Sequence, residues 1–255
     1  MFPPVPKNAA PAQGPRAPRK KPSPPLAGAP DSGPSRGAGA RVAAGDRAPV
    51  DARTRLLDAA LRLIRERGYT ATRVDDLCAA AGVTKGAFFH HFESKEALGV
   101  AAAEHWSCGT GALFAAAPYR KKTDPLDRVL EYVQFRRALL RGEPSEFTCL
   151  AGTMVQEVYG TSPAIRDACA ASITGHAGTL VADIEAARKK YAPRAEWTAE
   201  SLALHTQAVL QGAFILAKAT GGPRLAEESV DHLDRYLRLL FGRPPRRTSP
   251  AAPDD

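Results

Sequence analysis

The chain has 255 residues, 44% hydrophobic and 24% charged, with 35 Lys/Arg against 27 Asp/Glu for a net charge of +8. That composition suits a globular protein of one or two domains. No run reaches the ~18 to 20 apolar residues of a membrane span, and no apolar signal segment opens the chain. The four cysteines lie scattered without a C-x-x-C pair, which argues against a disulfide scaffold and a zinc finger. The expectation is a cytoplasmic protein with reduced thiols and no membrane partner.

The charge is unevenly placed. Residues 1–50 hold 8 Lys/Arg, 2 Asp/Glu and 12 of the 22 prolines, whereas residues 101–242 carry 16 charges of each sign. The first segment has too little apolar surface to offset its ordering entropy and reads as disordered, as does the tail 243–255. Residues 1–50 fit a solvated tail, a basic arm that binds nucleic acid by counterion release, or a stretch ahead of a later translation start.

From Asp51 to Phe241 the apolar period is helical, with no strictly alternating stretch between turn signals. The fold class is all-α, with nine helices expected near 51–67, 73–80, 84–91, 94–108, 124–141, 145–159, 162–190, 197–220 and 225–241. Gly68, Gly82, Gly142, Gly160 and Gly242 stand where helix-ending glycines belong. Asp124-Pro125 and Ser162-Pro163 pair a capping side chain with proline at the first helical position. In the first helix Leu56, Leu57, Ala60, Leu61 and Ile64 form one apolar stripe. Arg53, Arg55, Arg62 and Arg65 lie largely off it, either along a phosphate backbone or simply in solvent.

Residues 72–92 carry the most specific signal, a helix-turn-helix of two short helices near 73–80 and 84–91. Thr72 and Asp75 have capping-box spacing. Leu77 and Ala81 face inward, and Cys78, Ala79 and Ala80 are small enough for a close crossing. Gly82 supplies a positive-φ turn, Val83 plugs it, and Thr84 caps the second helix, whose Phe88 and Phe92 return to the core. Lys85, Gly86, Ala87, Phe89 and His90 then project outward from the helix that such motifs place in the major groove. The adjacent His90 and His91 point about 100° apart and make a poor metal-chelating pair; no metal or cofactor is expected.

Residues 51–98 resemble the DNA-binding domain of the TetR family of transcriptional regulators. The resemblance rests on Gly68-Tyr69, Thr72, Asp76-Leu77-Cys78, Ala81-Gly82-Val83-Thr84-Lys85-Gly86, Phe88-Phe89-His90-His91-Phe92 and Ser94-Lys95-Glu96-Ala97-Leu98. It implies that Thr72 and Thr84 hold phosphates, that Lys85, Gly86 and Ala87 meet base edges, and that His91 and Lys95 contact the backbone. Phe89 stands where the family commonly has Tyr and offers apolar contact without the hydroxyl. Arg73, beside the cap, is a further phosphate candidate.

The resemblance also implies that residues 99–242 form an effector-binding and dimerisation domain. Independently, Leu202, Leu204, Ala208, Val209, Leu210, Ala213, Phe214, Ile215, Leu216 and Ala217 cover more than one face of their helix, and Val230, Leu233, Leu237, Leu240 and Phe241 add a second apolar helix. A helix apolar on two sides needs a second partner, either its own core or a twofold-related copy joined through about 197–241. Trp106, Phe114, Phe147, Cys149, Met154 and Phe214, with the polar Glu157, His176, His205 and Gln211, are candidates for an effector pocket. The same residues read equally as core. Cys149, in Thr148-Cys149-Leu150-Ala151-Gly152, resembles a segment near the sensory pocket of some family members and is a candidate electrophile or redox sensor. No Gly-rich phosphate loop, H-E-x-x-H or G-x-S-x-G occurs.

The expected function is a homodimeric repressor that binds a palindromic operator in double-stranded DNA and is released by a small, mostly apolar effector. The rivals are non-specific nucleic-acid binding through the basic tail, and a helical enzyme using His176, His205 or Glu157.

Overall fold

The computed structural model describes residues 51–244. The expectations for residues 1–50 and for most of the tail 243–255 lie outside them.

Ten α-helices and one short 3-10 turn make up the described residues: α1 (Ala52–Arg67), α2 (Val74–Ala81), α3 (Lys85–His91), α4 (Lys95–Ala115), the 3-10 turn (Pro118–Lys121), α5 (Pro125–Ala138), α6 (Pro144–Phe147), α7 (Leu150–Val158), α8 (Pro163–Tyr191), α9 (Ala199–Thr220) and α10 (Arg224–Leu240). Side-chain caps start most of them, as free helix-end amides require. Asp51 accepts from the Thr54 amide, Ser94 from Ala97, Asp124 from Leu126 and Asp127, Ser162 from Ile165 and Thr198 from Ser201. Pro125 and Pro163 occupy first helical positions.

Four boundaries differ from the sequence expectation. The helix expected to end at 108 continues to Ala115, through Gly109 and Gly111, because Phe114 is anchored in the core and Ser107 hydrogen-bonds Ser172 of α8. The helix expected over 145–159 is two helices. Extended backbone at Thr148 and Cys149 breaks it, and the Cys149 thiol accepts from the Gly152 amide to start α7. The α5 helix stops at Ala138, short of the expected 141. Gly160 is not a left-handed cap, since Tyr159 remains helical and Ser162 N–H closes the turn onto the Val158 carbonyl. Gly68, Gly82, Gly142 and Gly242 do have positive φ, as does Gly221.

Two apolar cores form. The first joins Leu56, Leu57, Ala60 and Ile64 of α1, Leu77 of α2, Phe88 of α3 and Leu98 of α4 to Leu150 and Met154 of α7 and Ile165 and Cys169 of α8. The helix-turn-helix is therefore welded to the beginning of the C-terminal half. The second core packs α5 and the 3-10 turn against α8, α9 and α10 around Tyr132, Val133, Leu180, Ile184, Leu210, Val230 and Leu237. No helix among the described residues is long and apolar enough to cross a membrane.

Candidate functional site

The helix-turn-helix forms as its residues demand. Gly82 takes the left-handed conformation (φ 63°) that ends α2. The Thr84 hydroxyl then accepts from the Ala87 amide at 3.1 Å and starts α3. Phe88 is fully buried and packs on the buried Phe92, with ring centroids 5.8 Å apart. The opposite face is left to solvent: Lys85, Gly86, Phe89 and His90 are exposed, and Ala87 and His91 are partly so. Lys85 reaches Asp75 at 3.1 Å, but both side chains are 61% exposed, so solvent screens the pair and its rearrangement costs little. His90 and His91 meet edge-on, and no cluster of metal-ligating side chains occurs among the described residues. Cys78 is buried, and burial pushes its thiol pKa up. Ala79 and Ala80 face solvent rather than the helix crossing.

Two candidates have other tasks. Thr72 is fully buried and donates its hydroxyl to the Gly68 carbonyl at 2.7 Å, so it locks the turn before α2 and offers nothing to a phosphate. The capping-box partner is one residue later than expected: Asp76, not Asp75, accepts from the Arg73 amide at 3.1 Å. Arg73 itself is exposed. Lys95 donates to the Thr70 carbonyl at 3.2 Å with its ammonium 4.3 Å from the Tyr69 ring centre, which places it on that same turn.

The turn Gly68–Thr72 is also gripped from the C-terminal half. Glu157 of α7 accepts from the Tyr69 amide (3.1 Å) and the Thr70 amide (2.8 Å), one carboxylate oxygen to each. Glu157 therefore does not join the other expected pocket residues, contrary to the sequence expectation, and clamps the turn that leads into the helix-turn-helix.

The cavity lies between α4, α5, α6, α8 and α9 and holds about 160 Å³. Seven of the expected residues line it: Trp106, Phe114, Phe147, Cys149, His176, Gln211 and Phe214. Two expected residues join Glu157 outside. Met154 is fully buried in the first core, and His205 lies on the outer face of α9 with its ring 5.3 Å from Tyr236. The sequence reading also missed Arg136, Gln207, Ser172 and Ile173, which the fold brings into the wall.

A hydrogen-bonded group occupies one side of this cavity. The Tyr132 phenol oxygen accepts from Arg136 Nε (3.1 Å) and Gln207 Nε2 (3.0 Å), so its own proton goes to His176 Nε2 at 3.0 Å. That fixes His176 as a neutral imidazole with its proton on Nδ1. Burial, reinforced by the charges of Arg136 and Arg120, lowers the His176 pKa to about 3. Cys149 sits at the head of α7 in the same wall and is only partly buried, whereas Cys169 is fully buried, with a thiol pKa pushed by burial to about 12.

Arg65 of α1 touches the cavity's far wall. It donates to the Glu146 carbonyl at 3.1 Å and lies 5.1 Å from the Trp106 ring centre.

Comparison with known proteins agrees with this architecture. The profile described as bacterial regulatory proteins, tetR family, matches residues 56–102, and a tetracyclin repressor-like C-terminal domain matches residues 125–233. The HTH-type transcriptional repressor NemR of Escherichia coli is 30% identical over 150 residues, covering 55% of this chain and 71% of the relative. The chain belongs to the TetR family of transcriptional regulators.

Another relative is matched over less of its length. The HTH-type transcriptional repressor DhaR of a Mycobacterium species is 31% identical over 120 residues, 47% of this chain and 58% of that protein. Among solved structures, the reduced form of E. coli NemR shares 26% identity with a TM-score of 0.64, over 73% of this chain and 96% of that one. A TetR regulator from Chloroflexus aurantiacus shares 27% identity with a TM-score of 0.64, over 73% of this chain and 93% of its own. Membership makes the protein a regulator rather than an enzyme, so His176, His205 and Glu157 lose their catalytic reading.

Proposed function

We propose that the protein is a homodimeric, sequence-specific DNA-binding repressor, released from a palindromic operator by a small effector held in the cavity between α4, α5, α6, α8 and α9. The observation that carries the DNA-binding part is the outward face of α3, where Lys85, Gly86, Phe89 and His90 are exposed on a helix whose other side is anchored by Phe88. Lys85 and the small Gly86 and Ala87 suit base edges, and Phe89 adds apolar contact. Arg73, the Thr84 cap and His91 flank it as backbone contacts.

A second copy is the partner that suits α9 and α10. Leu204, Ile215, Leu216, Tyr236 and Leu239 are large, apolar and 43–75% exposed on these two helices. A twofold pairing covers them and sets two α3 helices on one face of DNA, about 34 Å apart for successive major grooves.

Release is coupled through α7 and α1. The α7 helix is capped by Cys149 in the cavity wall and holds Glu157, in its last turn, on the turn before α2, and Arg65 ties α1 to Glu146 and Trp106. An occupant that moves this wall shifts the population away from the α3 spacing DNA requires. The Cys149 thiol is the nucleophile that an electrophilic occupant meets.

The test is DNA binding by the full chain at near-physiological salt, compared with a Lys85→Ala/Phe89→Ala variant. Loss of sequence preference in the variant supports the α3 reading. Unchanged preference assigns recognition elsewhere, and sequence-indifferent binding by both assigns it to the basic tail.

A further inference from the structure

The effector cavity contains a cation whose described partners are all neutral. Arg136 projects from α5 into the wall, partly buried. Its Nε donates to Tyr132 Oη at 3.1 Å and its Nη2 to Gln207 Oε1 at 3.4 Å, and its guanidinium carbon lies 4.7 Å from the Phe114 ring centre. The next residue shows the contrast. Arg137 turns the other way, to Asp231 at 2.7 Å and Glu227 at 3.9 Å.

The neighbouring His176, Arg120 and Glu146 have partners of their own. The proton that Tyr132 donates to His176 keeps that imidazole uncharged. Arg120, on the 3-10 turn, is held 3.7 Å from Asp183, which also receives Arg128 at 2.7 Å. Glu146 stands exposed at the cavity's edge, with one carboxylate oxygen accepting from the Glu143 amide at 2.7 Å. Arg136 has five N–H donors, and two are used among the described residues, leaving three. A guanidinium drawn out of water against aromatic rings is a site for an anion that can accept two parallel hydrogen bonds.

Size and lining restrict the anion further. A cavity of about 150 Å³ lined by apolar side chains is filled by one benzene, and this one is about 160 Å³. Trp106, Phe114, Phe147 and Phe214 supply its aromatic surface. From these observations we infer that the effector carries a carboxylate paired to Arg136 and an apolar part of about one aromatic ring held inside the cavity. The body packs against Phe147 and Phe214, and the carboxylate lies beside the Tyr132–His176–Gln207 group. The inference rests on the cavity being the effector site and adds the charge and size of what it takes.

The experiment titrates the full-length protein with benzoate and with benzamide, which has the same ring and size but no charge, by calorimetry and thermal melting. Benzoate is expected to bind at least tenfold more tightly than benzamide and to raise the Tm. In Arg136→Gln, benzoate is expected to fall to the level of benzamide while benzamide binding is retained. Arg136→Lys, which keeps the charge but loses the planar fork, recovers part of the preference. Equal binding of the two probes to the wild-type protein overturns the carboxylate assignment and leaves the cavity as a neutral effector site. No binding of either probe, nor of toluene, overturns the cavity reading itself. Should Arg136→Gln fail to fold, the wild-type comparison alone still decides between the two.

Discussion

The clamp between Glu157 and the turn before α2 allows a sharp prediction. Glu157→Ala removes both acceptors from the Tyr69 and Thr70 amides. Hydrogen bonds to a charged group are worth about 1.5–3 kcal/mol when protected. Here the carboxylate is exposed, and water replaces part of what is lost, so the pair is worth about 1–2 kcal/mol. That corresponds to a rise of about 5- to 30-fold in the population with the turn detached. Glu157→Gln keeps one acceptor oxygen and sets its NH₂ against the other backbone N–H, so it releases at least one of the two amides. Gly68→Ala reaches the same result by another route, since a Cβ there would lie 2.4 Å from Glu157 Oε1 on a residue with φ of 91°. The assay is amide hydrogen exchange resolved at Tyr69 and Thr70, together with DNA binding in the presence and absence of effector. Exchange at both amides should accelerate about 5- to 30-fold while the cores remain protected, and DNA binding should respond less to effector. Unchanged exchange at both amides in Glu157→Ala and Glu157→Gln would refute the clamp.

Three further predictions concern packing, pH and assembly. Gly99→Ala places a Cβ 2.8 Å from Ile165 Cδ1 and 3.0 Å from Tyr69 Cε2. Overpacking of about 1–3 kcal/mol exceeds the ~0.5–1 kcal/mol gain in helix propensity, so chemical denaturation should show a net loss. Because the folded His176 has its pKa lowered to about 3 from 6.5, the unfolded chain takes up the proton first. The stability contributed is complete above pH 6.5 and declines as pH falls toward 3, by about 1–2 kcal/mol at pH 5. His176→Asn should flatten the pH 5–7 part of the denaturation profile, and an unchanged slope would assign it to other groups. Leu204→Glu with Leu239→Glu should yield monomers in sedimentation, with helix content preserved and tight operator binding lost; a dimer that persists would move the interface off α9 and α10.

The helix-turn-helix was legible because its constraints are local. Gly82 must end α2, Thr84 must cap α3, and Phe88 and Phe92 at i, i+4 must face inward, each readable within a few residues. The cavity depends on packing between distant helices, and there periodicity is weaker. Glu157 and His205 looked like pocket groups because polar residues on apolar helices are conspicuous, yet helix rotation points the first at Tyr69 and Thr70 and the second at Tyr236. Arg136 and Arg137 are adjacent with nothing local to tell them apart; only the docking of α5 turns one arginine inward and the other to Asp231. The helix expected to stop near 108 runs on to Ala115 through Gly109 and Gly111 because Phe114 is buried beyond them. The break at Thr148 and Cys149 lacks any Gly or Pro and leaves no local mark.

The most direct test of the central claim is selection of random-sequence duplex DNA by the full-length protein at near-physiological salt. Enrichment of a palindrome with two half-sites about one helical turn apart is the predicted result, with enrichment lost when Lys85 and Phe89 are replaced by Ala. Retention of DNA without an enriched sequence, or the same enrichment after those replacements, would contradict it.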